Sequence, residues 1–241
     1  MPFKSLVSTT VAAAALVFIA VVPAQAKVII DDFGDDQLLQ QTGPGTVSGS
    51  VLGANILGGE RDSILTVDSG PGLAELEVSA GSLKYSNQAT VTSHLQLQYD
   101  GADGSSALDA GGLGGVDIST LLGFAIEVLF TDIPVQLDIS LYTDAANFST
   151  AATVVPGGIG SATTFFVPFA AFVTMGGTGI DLADLGAITF DFVGGPAFDL
   201  AVDVVTAVPE PLPLAMFGIG LIAMGALRRR KATKAASPIA T

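Results

Sequence analysis

The segment Val135-Gln136-Leu137-Asp138-Ile139-Ser140-Leu141-Tyr142 decides the fold class of this chain. Apolar and polar residues alternate along its whole length, which is the period of a β-strand with one buried face and one solvated face. Such strands are typical of antiparallel sheets, because parallel sheets are covered on both faces and their strands are apolar throughout. The segment therefore predicts an antiparallel sheet.

The same alternation recurs on both sides of this segment. It is found at residues 74–78, 91–99, 188–192 and 198–204. Clusters of Gly and Pro, such as Gly43-Pro44-Gly45, separate the alternating segments and indicate turns. We expect no amphipathic helix longer than two turns before residue 208. About ten strands in one domain predict an all-β fold, an antiparallel β-sandwich or jelly roll, over residues 27–207.

The charges of the chain are distributed unevenly. Of its 9 basic and 23 acidic residues, one base lies in 1–26, and five bases and one acid lie in 208–241. Residues 27–207 therefore keep 3 bases and 22 acids, a net charge of −19. A segment this acidic repels phosphate backbones, so we expect no nucleic-acid partner. The lack of Cys excludes disulfides and thiolate chemistry, and a single His excludes a multi-histidine metal site.

Residues 1–26 have the order of a secretory signal peptide. Lys4 precedes an apolar run from Val11 to Val22, and Ala24-Gln25-Ala26 supplies the small residues of a cleavage site. We expect this segment to be removed, so that the mature chain begins at Lys27 outside the cytoplasm. The alternative is an N-terminal membrane helix that is retained.

A second apolar segment lies near the C-terminus, at residues 212–227. As a helix it would be about 24 Å long, against about 30 Å for a bilayer core, and arginines at its end extend its reach by snorkelling. The positive-inside rule places the basic residues after it in the cytoplasm. The prediction is one C-terminal transmembrane helix within 208–231, a cytoplasmic tail at 232–241, and a β domain on the far side of the inner membrane.

The C-terminal segment resembles the PEP-CTERM sorting signal of Gram-negative bacteria. The matching residues are Pro209, Glu210, Pro211, Arg228, Arg229 and Arg230, with the apolar run between them. The resemblance implies an exosortase-type membrane processing enzyme as a partner and a tethered intermediate in the inner membrane. It then implies a final place in the cell envelope, at the cell surface or outside biofilm-forming cells. Residues 232–241 depart from the pattern, and an ordinary tail anchor is the alternative.

The β domain also resembles galactose-binding-like jelly rolls, which include some carbohydrate-binding modules. The similarity lies in residues 29–33, 166–172, 180–190 and 198–204. In such jelly rolls a structural calcium often joins the opening segment to the final strand, which implies Asp32 and Asp203 as its ligands. Carboxylates are suitable ligands for this hard cation. The alternative is an acidic loop, formed by Asp31, Asp32, Asp35 and Asp36, that only interacts with solvent.

Three classes of function remain open from the sequence. The favoured one is an exported non-catalytic envelope or matrix protein, structural or adhesive within an exopolysaccharide layer. The alternative is a carbohydrate-binding module, with or without calcium. Sugars stack on aromatic rings and bond to amides, and the residues available for this are Tyr85, Tyr142, Gln96, Gln98 and Gln136.

A glycan hydrolase is the least favoured class, and no catalytic residue is predicted. With 22 acids in the domain, any two could be nominated as a catalytic pair, and His94 lies on a polar strand face without a nucleophile motif. The segments 100–104 and 111–117 approach calcium-loop patterns without matching them, so we expect turns there.

Overall fold

Fourteen strands and two short 3-10 turns make up residues 26–209, the part of the chain that the computed structural model describes. The strands are β1 Val28–Asp31, β2 Gln37–Thr42, β3 Gly45–Leu52, β4 Glu60–Ser69, β5 Leu73–Ser79, β6 Ser82–Asn87, β7 Thr92–Tyr99, β8 Gly123–Thr131, β9 Val135–Tyr142, β10 Phe148–Val155, β11 Thr163–Pro168, β12 Val173–Gly176, β13 Ala187–Gly194 and β14 Asp199–Val208. The 3-10 turns are Leu57–Gly59 and Phe169–Ala171.

The strands form two antiparallel seven-stranded sheets. Sheet A has the order β11-β8-β14-β6-β5-β2, with β1 paired to β14. Sheet B has the order β12-β10-β9-β13-β7-β4-β3. The prediction of an all-β antiparallel sandwich is confirmed. The extra strands beyond the expected ten include β3 and β12, whose glycine, serine and threonine residues interrupt the apolar alternation on which the count depended.

One hydrophobic core fills the space between the sheets, and the alternation of the sequence sets which side chains enter it. In β9 the apolar residues Val135, Leu137, Ile139 and Leu141 are fully buried, while the polar residues between them face outward. Most apolar residues of β5, β7 and β13 are buried in the same way, with Val193 at the end of β13 as an exposed exception. Burying each of these side chains contributes about 1.5–3 kcal/mol, which is why the register of every strand is fixed.

An ion pair crosses this core. Arg61 of β4 donates from Nη1 to Oδ2 of Asp31, at the end of β1, over 2.8 Å. The guanidinium also donates to the Gln37 side chain and to the Asp35 carbonyl, and Tyr99 donates its hydroxyl to Asp31. Since β4 belongs to sheet B and β1 to sheet A, the pair joins the two sheets.

Tyr85 differs from the sequence-based expectation. We expect it on the surface from its polar neighbours, yet its side chain is fully buried, in hydrogen-bond contact with the Ser93 hydroxyl. It points inward because it shares a face of β6 with Leu83, while Lys84 and Ser86 take the outer face. Its expected role in sugar binding is therefore wrong.

The predicted signal peptide and the sorting signal, apart from residues 26, 208 and 209, lie outside the described residues. Within 26–209 the structure contains no helix long and apolar enough to cross a membrane. The predicted C-terminal transmembrane helix falls in the part of the chain beyond this range.

Candidate functional site

The outer side of sheet B carries a group of polar side chains, which we name the polar face; apolar residues such as Ile64 and the exposed Val193 lie among them. The polar face consists of Thr66, His94, Gln96, Gln136, Asp138, Ser140, Thr150 and Asp191. Cross-strand pairing places them side by side, because directly paired residues point to the same side of a sheet. All are half-buried or exposed, so the face is accessible to a ligand.

A row of three residues runs across the centre of the polar face. Gln96 of β7 pairs with Asp191 of β13, which pairs in turn with Asp138 of β9. The Gln96 amide donates to both carboxylate oxygens of Asp191, over 3.0 and 3.1 Å. Neighbouring strands are about 4.8 Å apart, so the row is about 10 Å long.

The row brings two acidic side chains together at a cost in stability. Like charges directly opposite each other on a sheet are destabilising. Burial raises the pKa of Asp191, and the nearby Asp138 raises it as well, whereas the Gln96 bond and His94 lower it. The Gln136 amide donates to Asp138 over 3.1 Å. Each carboxylate is therefore held by an amide and keeps lone pairs that face outward.

An aromatic pair lies at one end of the polar face. The rings of Tyr142 and Phe148 are stacked, with centroids 5.3 Å apart and planes at 21°. The two residues are direct partners on β9 and β10, and both are half-buried. Tyr142 thus lies where the sequence predicts it, at the boundary between core and solvent.

His94 lies at the opposite end of the polar face, as the sequence predicts for a surface residue. Its Nδ1 is 3.2 Å from the carboxylate of Asp68, and both side chains are partly exposed. An exposed pair of this kind contributes little to the stability of the fold. Nothing in its surroundings provides a nucleophile for it to activate within residues 26–209.

Gln98 departs from the expectation that it faces solvent. The loop 100–122 covers the end of sheet B away from His94, and Gln98 is only 3% exposed. The loop is attached by a Ser106–Ser48 hydroxyl contact and by the Gly104 amide, which donates to Glu60 over 2.9 Å. A covering loop is a tertiary feature that strand alternation does not reveal.

Beneath this loop lie two buried aspartates, Asp62 and Asp100. Asp62 pairs directly with Gln98 across β4 and β7. Both oxygens of Asp62, one of Asp100 and the amide oxygen of Gln98 have no hydrogen-bond partner. Burial raises the pKa of Asp62 to about 7, with Glu60 and Asp100 adding to the effect. Burial also raises the pKa of Asp100.

Of the predicted calcium ligands, Asp32 follows the end of β1 and Asp203 lies on β14 of sheet A. Asp32 accepts hydrogen bonds from the Gly34 amide and from Asn55 over 3.0 and 2.7 Å. Asp203 is half-buried on β14, where the register with β8 shifts. No group of three or more acidic or histidine side chains within 26–209 is arranged to hold a metal ion. Calcium at this pair stays a prediction.

The outer side of sheet A has two shallow depressions. The first, of about 490 Å³, is lined by Asp36 and by residues of β2 and β5, including Glu75. The second, of about 330 Å³, is lined by residues that include Glu75, Lys84, Tyr85, Phe130 and Asp199. Tyr85 is fully buried, whereas Phe130 is 43% exposed. Sheet A therefore offers a second surface for a ligand.

Comparison with known proteins gives structural similarity at low sequence identity. No protein-family model matches the chain, and no curated protein matches it. The chain is similar to a family 11 carbohydrate-binding module of a Clostridium thermocellum cellulosomal cellulase, with 13% identity, TM-score 0.38, and 78% of this chain and 96% of that chain covered. It is also similar to a family 30 carbohydrate-binding module of another cellulosomal cellulase of that organism. The identity is 12%, the TM-score is 0.41, and 77% of this chain and 99% of that chain are covered. An exo-β-agarase is similar at 12% identity and TM-score 0.39, over 78% of this chain and 25% of that chain.

Proposed function

We propose that this protein is a non-catalytic carbohydrate-binding module and that the polar face of sheet B holds its glycan. The observation that carries the proposal is the row Gln96–Asp191–Asp138. Two acids opposite each other destabilise a sheet, so their presence on an accessible face favours a role in binding.

The chemistry of the row suits hydroxyl groups. Carboxylates accept hydrogen bonds from hydroxyls, and charged acceptors make stronger bonds than neutral ones. The amide of Gln96 already holds Asp191 in place, which lowers the entropy that a ligand must remove on binding. Tyr142 and Phe148 add an apolar surface at the end of the face, against which a sugar ring can pack.

The charge of the domain selects the class of glycan. A net charge of −19 over residues 27–207 repels uronate- or sulfate-bearing polysaccharides. Only Lys27, Arg61 and Lys84 are basic in this range, and Arg61 is buried while Lys84 pairs with Glu77. A neutral polysaccharide is therefore the expected ligand.

The setting in which the module acts is part of the same proposal. The signal peptide and the PEP-CTERM-like segment direct the domain out of the cytoplasm, through an exosortase-type enzyme, into an exopolysaccharide layer. There it serves as an adhesive or structural component of the envelope. A matrix role without any saturable glycan binding is the second candidate, since the high acidity alone favours a dispersed, hydrated protein.

Affinity electrophoresis of the purified protein in gels containing soluble neutral polysaccharides tests the proposal. The panel includes mixed-linkage β-1,3-1,4-glucan and β-1,4-galactan, the polymers related to the oligosaccharides bound in two of the similar structures. We expect retardation by at least one polymer, and at least tenfold weaker binding for Gln96→Ala and Asp191→Asn.

Phe130→Ala serves as the control, because it changes the exposed aromatic residue of the second depression on sheet A and leaves sheet B intact. We expect it to bind as the wild type does. Binding lost with Phe130→Ala and kept with Asp191→Asn would move the site to sheet A. Absence of retardation with every polymer would favour the matrix role.

A further inference from the structure

We propose that Asp62, Gln98 and Asp100 bind a calcium ion beneath the loop 100–122. The proposal is independent of glycan binding. Its site is separate from the predicted calcium ligands Asp32, which follows β1, and Asp203, which lies on β14. It rests on unpartnered buried oxygens and on the distribution of charge around them.

The first observation is an excess of acceptors without donors. Asp62 is completely buried, Asp100 is 1% exposed and Gln98 is 3% exposed. Both Asp62 oxygens, Oδ1 of Asp100 and Oε1 of Gln98 lack a hydrogen-bond partner of good geometry. The Ser50 hydroxyl is near enough to lower the pKa of Asp62, but burial raises that pKa by more. Burying an acceptor without a partner costs about 1–3 kcal/mol, and more for a charged group, so four together need a cause.

The acceptors are also directed to one place. Gln98 is the direct cross-strand partner of Asp62, so their side chains lie next to each other on the same side of sheet B. Its amide nitrogen donates to Gln96, which leaves the amide oxygen as the free atom. The carboxyl groups of Asp62 and Asp100 are within interaction distance of each other.

The second observation is the lack of a counter-charge. Glu60, Asp103 and Asp109 add their charges to those of Asp62 and Asp100. Among the basic residues of the described range, Arg61 points into the core toward Asp31 and Lys84 is on sheet A with Glu77. No basic side chain of residues 26–209 forms an ion pair with these five acids.

Calcium suits this donor set better than other ions. It takes carboxylate, amide and backbone carbonyl oxygens at about 2.3–2.6 Å in flexible geometry, whereas magnesium requires stricter octahedral geometry and zinc prefers nitrogen and sulfur. The loop 100–122 covers the site, and its backbone carbonyls are the further ligands that the proposal requires. Gly101 and Gly112 allow the loop to approach closely, because a Cβ on Gly112 would lie 1.8 Å from the Asp100 carbonyl oxygen.

Isothermal titration of the purified protein with CaCl2 tests the proposal. At pH 7 the wild type should bind calcium saturably. Asp62→Asn should weaken calcium binding at least tenfold. Asp32→Asn, the matched control, removes one carboxylate of the pair Asp32 and Asp203 and should leave calcium binding unchanged.

A thermal melt gives a second readout that does not depend on heats of binding. Calcium at about 100 times its Kd should raise the Tm of the wild type by about 5–10 °C. Near-UV circular dichroism confirms that Asp62→Asn is folded, and its Tm should not respond to calcium. Absence of saturable binding to the wild type, or binding that survives Asp62→Asn and is lost with Asp32→Asn, would overturn the proposal.

Discussion

Arg61 and Asp31 form an ion pair from which solvent is excluded: 2.8 Å separates Nη1 from Oδ2, and neither side chain has any exposed surface. The Phe33 amide and the Tyr99 hydroxyl also donate to Asp31, and the guanidinium lies over the Phe33 ring, 5.7 Å from its centroid. The pair therefore acts as a polar link between the two sheets.

Removing one member of this pair should strongly destabilise the domain. Asp31→Asn leaves Arg61 charged and buried without a counter-ion, and such losses cost about 3–5 kcal/mol. Urea denaturation of the purified variant measures the change in the free energy of unfolding. Lys84→Met is the control, because Lys84 forms an exposed ion pair with Glu77 that contributes less than about 1 kcal/mol. Equal stability of Asp31→Asn and the wild type would contradict the prediction.

The cross-strand acids Asp138 and Asp191 should limit stability while they serve binding. Asp138→Asn removes the like-charge repulsion and should raise the free energy of unfolding by about 0.2–1 kcal/mol in low salt, with a smaller gain in high salt. The same variant should bind glycan less tightly. Asp144→Asn removes the same charge from a turn where Asp144 accepts backbone hydrogen bonds, so no gain is expected there. If Asp138→Asn and Asp144→Asn raised the free energy of unfolding equally, the change in net charge alone would explain the effect.

The buried carboxyl of Asp62 should make stability fall as pH rises when calcium is chelated. Its pKa is about 7 in the folded protein, against an ordinary value of 3.8. Between these values the folded state binds more protons than the unfolded state, so the free energy of unfolding decreases with pH, by at most about 1.4 kcal/mol per pH unit for one proton. Urea denaturation in EDTA from pH 4 to pH 8 measures this loss.

Asp62→Asn should remove most of that slope, because the amide does not titrate. The variant should exceed the wild type in stability at pH 8, where Asp62 is ionised, and the difference should narrow toward pH 4. A wild-type profile that is flat or rises from pH 5 to pH 8 in EDTA would show that Asp62 titrates as an ordinary carboxyl.

The close approach of Gly112 to Asp100, within the loop 100–122, should not tolerate a side chain at Gly112. A Cβ there would lie 1.8 Å from the Asp100 carbonyl oxygen, so Gly112→Ala must displace backbone. We expect a loss of about 1–3 kcal/mol, as for overpacking in a core. Gly160→Ala is the control, since a Cβ at that position has no atom within 4 Å. Thermal unfolding measures the Tm of both variants. A Tm of Gly112→Ala similar to that of Gly160→Ala would contradict the close packing at Gly112.

Much of the fold could be predicted from the sequence because the apolar alternation is strong. In β9, β5 and β13 the predicted inner residues are the buried ones, since a slip by one residue would expose every apolar side chain. The final strand is less regular: Val204 is half-buried where the alternation predicts an inner residue, because the register with β8 shifts next to it.

The candidate site could be predicted only in part. Gln96 and Gln136 lie on the solvated face as the sequence indicates, but the strand order that places Asp191 between Gln96 and Asp138 depends on pairing between distant segments. The same holds for Asp31 and Arg61: alternation places Arg61 on the inner face with Ser63 and Leu65, yet nothing local shows that Asp31 is its partner.

The pairing of the first strand with the last has a mechanical consequence. Val28 of β1 is the direct partner of Ala207 of β14, so the chain enters and leaves the domain about 5 Å apart. A short linker from residue 208 to residue 27 would therefore close the polypeptide into a ring and keep the strand pairs of both sheets, and new termini could be opened in the turn between β5 and β6. For the same reason, tethers attached at the two ends would both leave the domain from neighbouring points of sheet A.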